Sequence, residues 1–287
     1  MTQNHVMYST TPVLARPSTI AFRTRGHRHG PITRLMSPGD LGERLKPFVF
    51  LDLFDAEATS FSGFGMHPHS GIATVTHLFE GNVRYEDTTG AAGLLPEGGV
   101  EWFKAGHGAW HGGGAGDSQR ARGFQLWLAL PPEEELGPVE SIYQAPENIV
   151  RDGPARVLVG THGAATSALK APSSINYLAV RLKGGESWRY RRPADHAVAW
   201  VALSKGGLAT PERIEAGELA IFEPAETAID LHADGETEFV LGSAVAHRHV
   251  LTLGYYSVHT SQASLAAGEQ RINEIGMQLQ KEGRLRA

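Results

Sequence analysis

Two histidines stand one residue apart in the segment GMHPHSG, at His67 and His69. Residues i and i+2 of a strand point to the same side, so both imidazoles can reach one metal ion. A third histidine, His111, follows in the glycine-rich segment WFKAGHGAWHGGG. Three neutral imidazoles leave coordination positions open on the ion, as a catalytic site requires and a closed structural site does not. The spacing therefore predicts a metal site at His67, His69 and His111.

Solvated loop histidines are the alternative interpretation, because the chain holds 14 histidines and chance pairs are expected. Two further His-x-His triplets, at 27–29 and 247–249, carry an arginine between their histidines. A fixed positive charge disfavours a bound cation by Coulomb repulsion. His67 and His69, by contrast, lack a cationic neighbour and lead into a segment with the alternation of a strand.

The composition limits the class of protein. The 287 residues are 41% hydrophobic and 20% charged, which is typical of a globular protein. A net charge of −5 offers no basic field for direct binding of nucleic acid or of a membrane. The absence of cysteine excludes disulfides, thiolate catalysis and cysteine-bound zinc. Because the first residues lack an apolar signal segment, we expect a cytoplasmic protein.

The elements that must position these histidines are short strands. With 34 glycines and 16 prolines, the chain favours many turns over long helices. Glycine, proline or aspartate clusters separate nine strand-like segments, a spacing typical of a sandwich or barrel. These segments are FVFLDLF (48–54), ATVTHLF (73–79), VEWF (100–103), FQLWLAL (124–130), INYLAVRL (175–182), AVAWVAL (197–203), LAIF (219–222), EFVL (238–241) and VLTLGYY (250–256). The pattern predicts one clear helix, over about 261–285.

A weak internal repeat indicates two similar β-barrels. HLFEGNV followed by LLPEGGVEWF, within 77–103, resembles ALSKGGL followed by RIEAGELAIF, within 202–222. The Pro- and Glu-rich residues 130–150 read as a connection between domains. We therefore predict an all-β protein with an N-terminal barrel at 1–150, a C-terminal barrel at 151–258 and a helical tail at 259–287. The second copy has no His-x-His before its turn, so only the first barrel is expected to hold a metal.

Taken together, the blocks PFVFLDLFD, HPHSGIATVTHLFEG, GGVEWFKAGHGAWH and GFQLWLALP resemble the pirin family of the cupin superfamily, whose members have two β-barrel domains. The resemblance covers about residues 47–131 and continues more weakly to the tail. It implies a mononuclear site, with Fe²⁺ as the expected metal, at His67, His69 and His111. Some members act as quercetin 2,3-dioxygenases, and a eukaryotic branch is a nuclear co-regulator of transcription.

The chain departs from the family pattern at the fourth ligand. A glutamate usually follows the third histidine by two residues, and Gly113 stands at that position. Ala73 replaces a second acidic residue, His107 replaces an arginine, and His77 replaces an aromatic residue. Without the glutamate, a divalent ion keeps its full charge and is expected to bind more weakly. A natural general base for a flavonol hydroxyl is also lost.

Other residues could take part in the site. Glu101 is most of a strand away from His111, so we do not expect it to bind the metal directly. His107 is a candidate for an additional metal ligand or for a residue that contacts one of the ligands, and Trp110 is a candidate for the wall of the pocket. His77 lies too far along its strand for ligation and is expected to pack inside the barrel.

These observations leave three functions open. The first is a metal-dependent dioxygenase of the quercetinase type, acting on a small aromatic enol such as a flavonol. The second is a non-catalytic sensor or regulatory module that binds a protein partner and carries a degenerate metal site, as Gly113 suggests. The third is a cupin that binds a sugar or a small acid without redox chemistry.

Overall fold

The computed structural model describes residues 19–57, 63–210, 212–224 and 228–285. The first residues of the predicted N-terminal domain, 1–18, lie outside the described residues. The expectation of a cytoplasmic protein depended on these same first residues, so it too lies outside the described part of the chain.

The described chain is built almost entirely from strands. The first twelve are β1 Ile20–Thr24, β2 His27–His29, β3 Ile32–Met36, β4 Phe48–Glu57, β5 Phe64–His69, β6 Ile72–Glu80, β7 Val83–Asp87, β8 Ala92–Leu95, β9 Val100–Lys104, β10 Ala109–Ala115, β11 Arg120–Ala129 and β12 Glu140–Gln144. The next seven are β13 Arg151–Asp152, β14 Ala155–Val159, β15 Thr161–His162, β16 Ala165–Thr166, β17 Ile175–Leu182, β18 Ser187–Tyr190 and β19 Val198–Lys205. The last seven are β20 Gly207–Thr210, β21 Glu212–Glu215, β22 Leu219–Phe222, β23 Ile229–Ala233, β24 Thr237–Ala244, β25 Thr252–Leu253 and β26 Val258–His259. The helices are α1 Leu41–Leu45, a 3₁₀ turn Pro146–Asn148 and α2 Gln262–Lys281.

Two barrels repeat the same strand order. In the first, a seven-stranded sheet β12-β9-β6-β11-β4-β3-β2 faces a four-stranded sheet β5-β10-β7-β8. In the second, β1-β22-β19-β24-β17-β14-β13 faces β18-β23-β20-β21. Each strand of one barrel has a counterpart at the same place in the other. The internal repeat found in the sequence is therefore confirmed as a repeat of structure.

One strand of each barrel lies outside the range predicted for the strands of that barrel. β1 pairs antiparallel with β22 and so completes the large sheet of the second barrel. Its counterpart in the first barrel is β12, which lies within the predicted connection and pairs with β9. The predicted domain limits, at residues 150 and 258, remain predictions.

Strand alternation separates two faces in the first barrel. Val75 of β6 joins a large apolar cluster that also contains residues of the second barrel, and Phe79 belongs to the same cluster. Successive residues of a strand point to opposite faces. His77 therefore faces the second barrel with them, and its Nδ1 donates to the carbonyl of Gly99 at 2.8 Å. The expectation that His77 packs inside its barrel was wrong, because its place in the alternation puts it on the outer face.

The predicted strand over 250–256 is also wrong. Within it only Thr252–Leu253 forms a strand, a two-residue one paired with β26. Val250 and Tyr255 are 77% and 86% exposed, so this apolar run crosses the surface instead of entering a sheet. The predicted tail helix is confirmed as α2, which begins after the N-cap Ser261.

Helix α2 returns to the first barrel. It contacts β5, β10, β25 and β26. At Gly268, an added Cβ would lie 2.4 Å from the hydroxyl of Ser70, so only glycine allows this close approach. The tail is therefore packed against the strands that carry the predicted metal ligands.

Candidate metal centre

The structure brings the three predicted histidines together. β5 and β10 are antiparallel neighbours, with His111 opposite His67 and Ala109 opposite His69. One potential ligand atom from each histidine lies within 4.8 Å of the others. Among the described residues, this is the one group of three such side chains close enough to share a metal ion.

Each histidine is oriented by a partner at its Nδ1 atom. His67 bonds the carbonyl of Gly65 at 2.7 Å, and His69 bonds the carbonyl of Tyr256 at 3.0 Å. His111 contacts Oε1 of Glu101 at 3.3 Å. Carbonyl and carboxylate oxygens accept hydrogen bonds, so the Nδ1 atoms carry protons and the Nε2 atoms keep free lone pairs. Metal-binding histidines in proteins are typically held in this way.

The free Nε2 atoms test whether the site suits a metal. The Nε2 atoms of His69 and His111 are buried, and no described residue supplies a hydrogen-bond partner to either. A buried polar atom without a partner is costly, and a bound cation would satisfy both atoms at once. The donor set of three imidazoles suits iron, zinc, copper or nickel. The residues present therefore fit a divalent transition metal.

The electrostatics of the ligands agree with this fit. Burial lowers the pKa of His67 to about 4, with a further contribution from the nearby His111. Burial also lowers the pKa of His69 well below its ordinary value, as do His67 and His111. A histidine binds metal as the neutral imidazole. At neutral pH both side chains are thus already in the form that coordinates.

Glu101 is the functional residue that the sequence reasoning undervalued. Within β9, Glu101 and Phe103 point into the barrel, and Phe103 stacks on His111 with ring centroids 4.4 Å apart. Burial raises the pKa of Glu101, but hydrogen bonds and charge from His111, with hydrogen bonds from Thr76 and Tyr143, outweigh it and lower the pKa overall. As expected, Glu101 is not among the converging ligand atoms. It stands behind His111, and strand alternation from Phe103 was the signal that could have indicated this.

Two spaces meet at His67. An interior cavity of about 40 Å³ lies inside the barrel and is bounded in part by Glu101, His111 and Gly113. An open chamber of about 650 Å³ lies on the outer side of His67 and is bounded in part by Trp127 and Tyr256. Ligand pockets commonly measure about 300–1,000 Å³, so only the open chamber has the size for an aromatic substrate.

The aromatic wall of the open chamber is Trp127 rather than Trp110. Trp127 stacks on Phe50 with ring centroids 3.9 Å apart, and its ring lies 4.7 Å from that of His69. The indole of Trp110 instead donates to the carbonyl of Ile272 in α2, at 2.8 Å. The structure therefore places Trp110, the predicted pocket wall, under the tail helix.

His107 lies apart from the three histidines. Its side chain is exposed, and its backbone N–H donates to the carbonyl of Gly137 at 3.0 Å. It is not part of the cluster of ligand atoms. The glycine-rich loop does not fold back far enough to bring this side chain to the site.

The second barrel has apolar side chains where the first has histidines. Its strands β18 and β23 occupy the places of β5 and β10. Tyr190 and Leu231 from these strands are buried in the apolar cluster that fills this barrel, and Trp188 packs against it. No metal-binding group is found in the described part of this barrel.

Comparisons with known proteins agree with the fold. A family model described as Pirin matches residues 23–128. A Pseudomonas aeruginosa protein named "Putative quercetin 2,3-dioxygenase" is 29% identical over 227 residues, covering 74% of this chain and 79% of that protein. The crystal structure of a quercetin 2,3-dioxygenase from Acinetobacter baumannii superposes with a TM-score of 0.82, covering 90% of this chain and 98% of the other. The chain is thus similar to the pirin family, most clearly over residues 23–128.

This similarity supports the architecture more firmly than the activity. The Acinetobacter structure is 23% identical, which shows that the two chains share the two-barrel fold and no more. A second Pseudomonas aeruginosa protein, also named "Putative quercetin 2,3-dioxygenase", is 42% identical over 123 residues. That alignment covers 42% of this chain and 43% of the relative, less than half of either. Among the described residues, no helix is both long and apolar enough to cross a bilayer.

Proposed function

We propose that this pirin-like protein is an iron-dependent dioxygenase that acts on a small aromatic enol of the flavonol type. The observation that carries the proposal is the convergence of His67, His69 and His111, each oriented through Nδ1, at the edge of the open chamber. When bound, iron would supply Lewis-acid polarisation of the substrate and activation of oxygen. The names of the relatives support the choice of substrate class.

The open chamber supplies binding and orientation. Phe64, Trp127 and Tyr256 line it beside His67, so a planar aromatic ring meets apolar and aromatic surface. Such pockets bind mainly through burial of apolar area and use a few polar groups to fix orientation. Gln125 reaches both the open chamber and the interior cavity and is one such polar group.

Asp52 is positioned to accept the proton of the substrate hydroxyl. It is the acidic side chain in the described lining of the open chamber, and Arg34 donates to its Oδ2 at 3.1 Å. Burial raises the pKa of Asp52, and the hydrogen bond and charge of Arg34 offset part of that effect. A carboxylate with a raised pKa is a better general base at neutral pH than an exposed one. Asp52 would thus replace the proton acceptor that Gly113 cannot provide.

The test combines metal analysis with turnover. Untagged protein should carry one iron per chain and consume oxygen when quercetin is added. His69→Ala should lose both properties, whereas His249→Ala, which removes an exposed histidine of another His-x-His triplet, should keep them. Equal oxygen uptake by His69→Ala and the unaltered protein would reject the proposal.

The second candidate is a regulatory module without catalysis. Gly113 favours it, because a site lacking its carboxylate ligand can bind metal without turning over a substrate. Under this alternative, stoichiometric metal would be found with no oxygen uptake for quercetin or related enols. The protein would then act through a protein partner that responds to metal occupancy.

A further inference from the structure

The interior cavity occupies the place that a ligand at position 113 would use. β10 runs beside β7 in regular register, with His111 opposite Asp87 and Gly113 opposite Tyr85. Residues two apart on a strand share a face, so position 113 lies on the same face of β10 as His111. Gly113 and His111 both border the cavity. The absent side chain at Gly113 therefore leaves space next to the proposed metal.

The size of the cavity limits its occupant. The cavity measures about 40 Å³, against roughly 10–15 Å³ for a single water molecule, so it admits a group of a few atoms but no ring system. A carboxylate group, with one carbon and two oxygens, matches this volume. A flavonol does not, and it would occupy the open chamber on the other side of His67.

The charge of the site favours an anion in this space. Three neutral imidazoles leave the charge of a divalent ion uncompensated, and Glu101 offsets part of it through His111. A single further negative charge would bring the metal and its surroundings near neutrality, which a low-dielectric interior favours strongly.

We propose that the interior cavity beside Gly113 binds a free small carboxylate, of the size of formate or acetate, which completes the metal's ligand set. The inference rests on the proposed metal site and deepens it, since the fourth ligand is a diffusible anion rather than a residue of the chain. The carboxylate group of a substrate has the same chemistry, and the experiment separates the two sources.

The experiment uses the full-length protein loaded with Co²⁺, whose visible d–d spectrum reports changes of coordination. Sodium formate, acetate, pivalate and benzoate are titrated at constant ionic strength. Formate and acetate should change the spectrum to saturation. Pivalate, which is too large for the interior cavity, should give at least a tenfold weaker response. Benzoate, an aromatic acid, should also respond weakly.

A variant carries the ligand within the chain. Gly113→Glu should lose the response to formate, because its own carboxylate fills the space. An added Cβ at this position lies 2.8 Å from the carbonyl of Arg84, so the strand must shift slightly. Gly235→Glu is the matched control, because an added Cβ there meets no atom within 4 Å and it lies in the second barrel. It should respond like the unaltered protein. If Gly113→Glu does not fold, the size dependence in the unaltered protein decides the question alone.

The possible failures are distinguishable. Failure to bind Co²⁺ at one per chain would overturn the proposed metal site itself. Stoichiometric Co²⁺ with no response to formate or acetate would overturn only the carboxylate site. A response to benzoate alone would mean that the substrate supplies the carboxylate. Equal responses to formate and pivalate would mean that anions bind from the open side rather than in the interior cavity. Each of the last two results contradicts the proposal.

Discussion

Replacing Glu101 tests whether a carboxylate behind His111 holds the metal ligand in place. Glu101→Gln keeps an oxygen that can accept from Nδ1 of His111 but removes the negative charge. Loss of such a partner typically weakens metal binding about 10- to 100-fold. The contact is long, at 3.3 Å against an ordinary value of about 2.9 Å for N–H···O bonds, which points to the lower end of that range. We expect about a tenfold weaker affinity, or about 1.4 kcal/mol.

Glu101→Ala extends the same series. It removes the acceptor altogether and leaves Nδ1 of His111 without a partner, so the loss should approach 100-fold. Glu140→Gln is the matched control for both variants. Glu140 is a carboxylate on the neighbouring strand β12 that accepts from the indole of Trp102 at 3.1 Å, on the face away from the metal ligands. The Glu140→Gln variant should bind metal with the affinity of the unaltered protein.

The assay is competition between the protein and a fluorescent chelator for Co²⁺ at pH 7.5, with thermal unfolding measured in parallel. The expected order of dissociation constants is unaltered protein and Glu140→Gln, then Glu101→Gln, then Glu101→Ala. If both Glu101 variants fold and bind as tightly as the unaltered protein, the carboxylate has no positioning role.

Three other changes test the packing around the site. Burial lowers the pKa of His77 to about 3, so below about pH 6.5 the unfolded state takes up a proton that the native state excludes, and the free energy of unfolding falls as pH falls. The unaltered protein should therefore lose about 1 kcal/mol more of its unfolding free energy between pH 7 and 5.5 than His77→Phe, as measured by urea titration. Gly268→Val should displace helix α2, lowering both Tm and metal affinity, whereas Ala266→Val on the exposed side of the helix should change neither. Arg122→Ala breaks a buried 2.6 Å ion pair with Glu238 and should cost about 3 kcal/mol in denaturant unfolding, and a loss below 1 kcal/mol would contradict the assigned burial.

The sequence predicted the local structure well where a pattern is confined to neighbouring residues. Strand periodicity located four adjoining strands of each seven-stranded sheet, and the amphipathic tail located α2. Where the periodicity continued without a partner, as in 250–256, the prediction failed, because an apolar run becomes a strand only when another edge is available to pair with it. Similarly, His77 could not be assigned to a face until the packing of the second barrel was known.

The sequence also predicted that His67, His69 and His111 lie together, and the resemblance to the pirin family implied that Gly113 stands where a carboxylate is usual. The residues that complete the site were not predictable in this way. Glu101 reaches His111 because β9 and β10 contribute to opposing sheets, and Tyr256 reaches His69 because the chain returns from the second barrel.

The sequence by itself therefore determined which side chains could share a metal, and its resemblance to the pirin family implied that the usual carboxylate is missing. The tertiary structure decided what orients those atoms, where the aromatic wall lies and what space Gly113 leaves. The physical reason is that side-chain direction along a strand follows from local geometry. Contacts between sheets depend instead on how separate strands pair and pack, and no spacing along the chain records that.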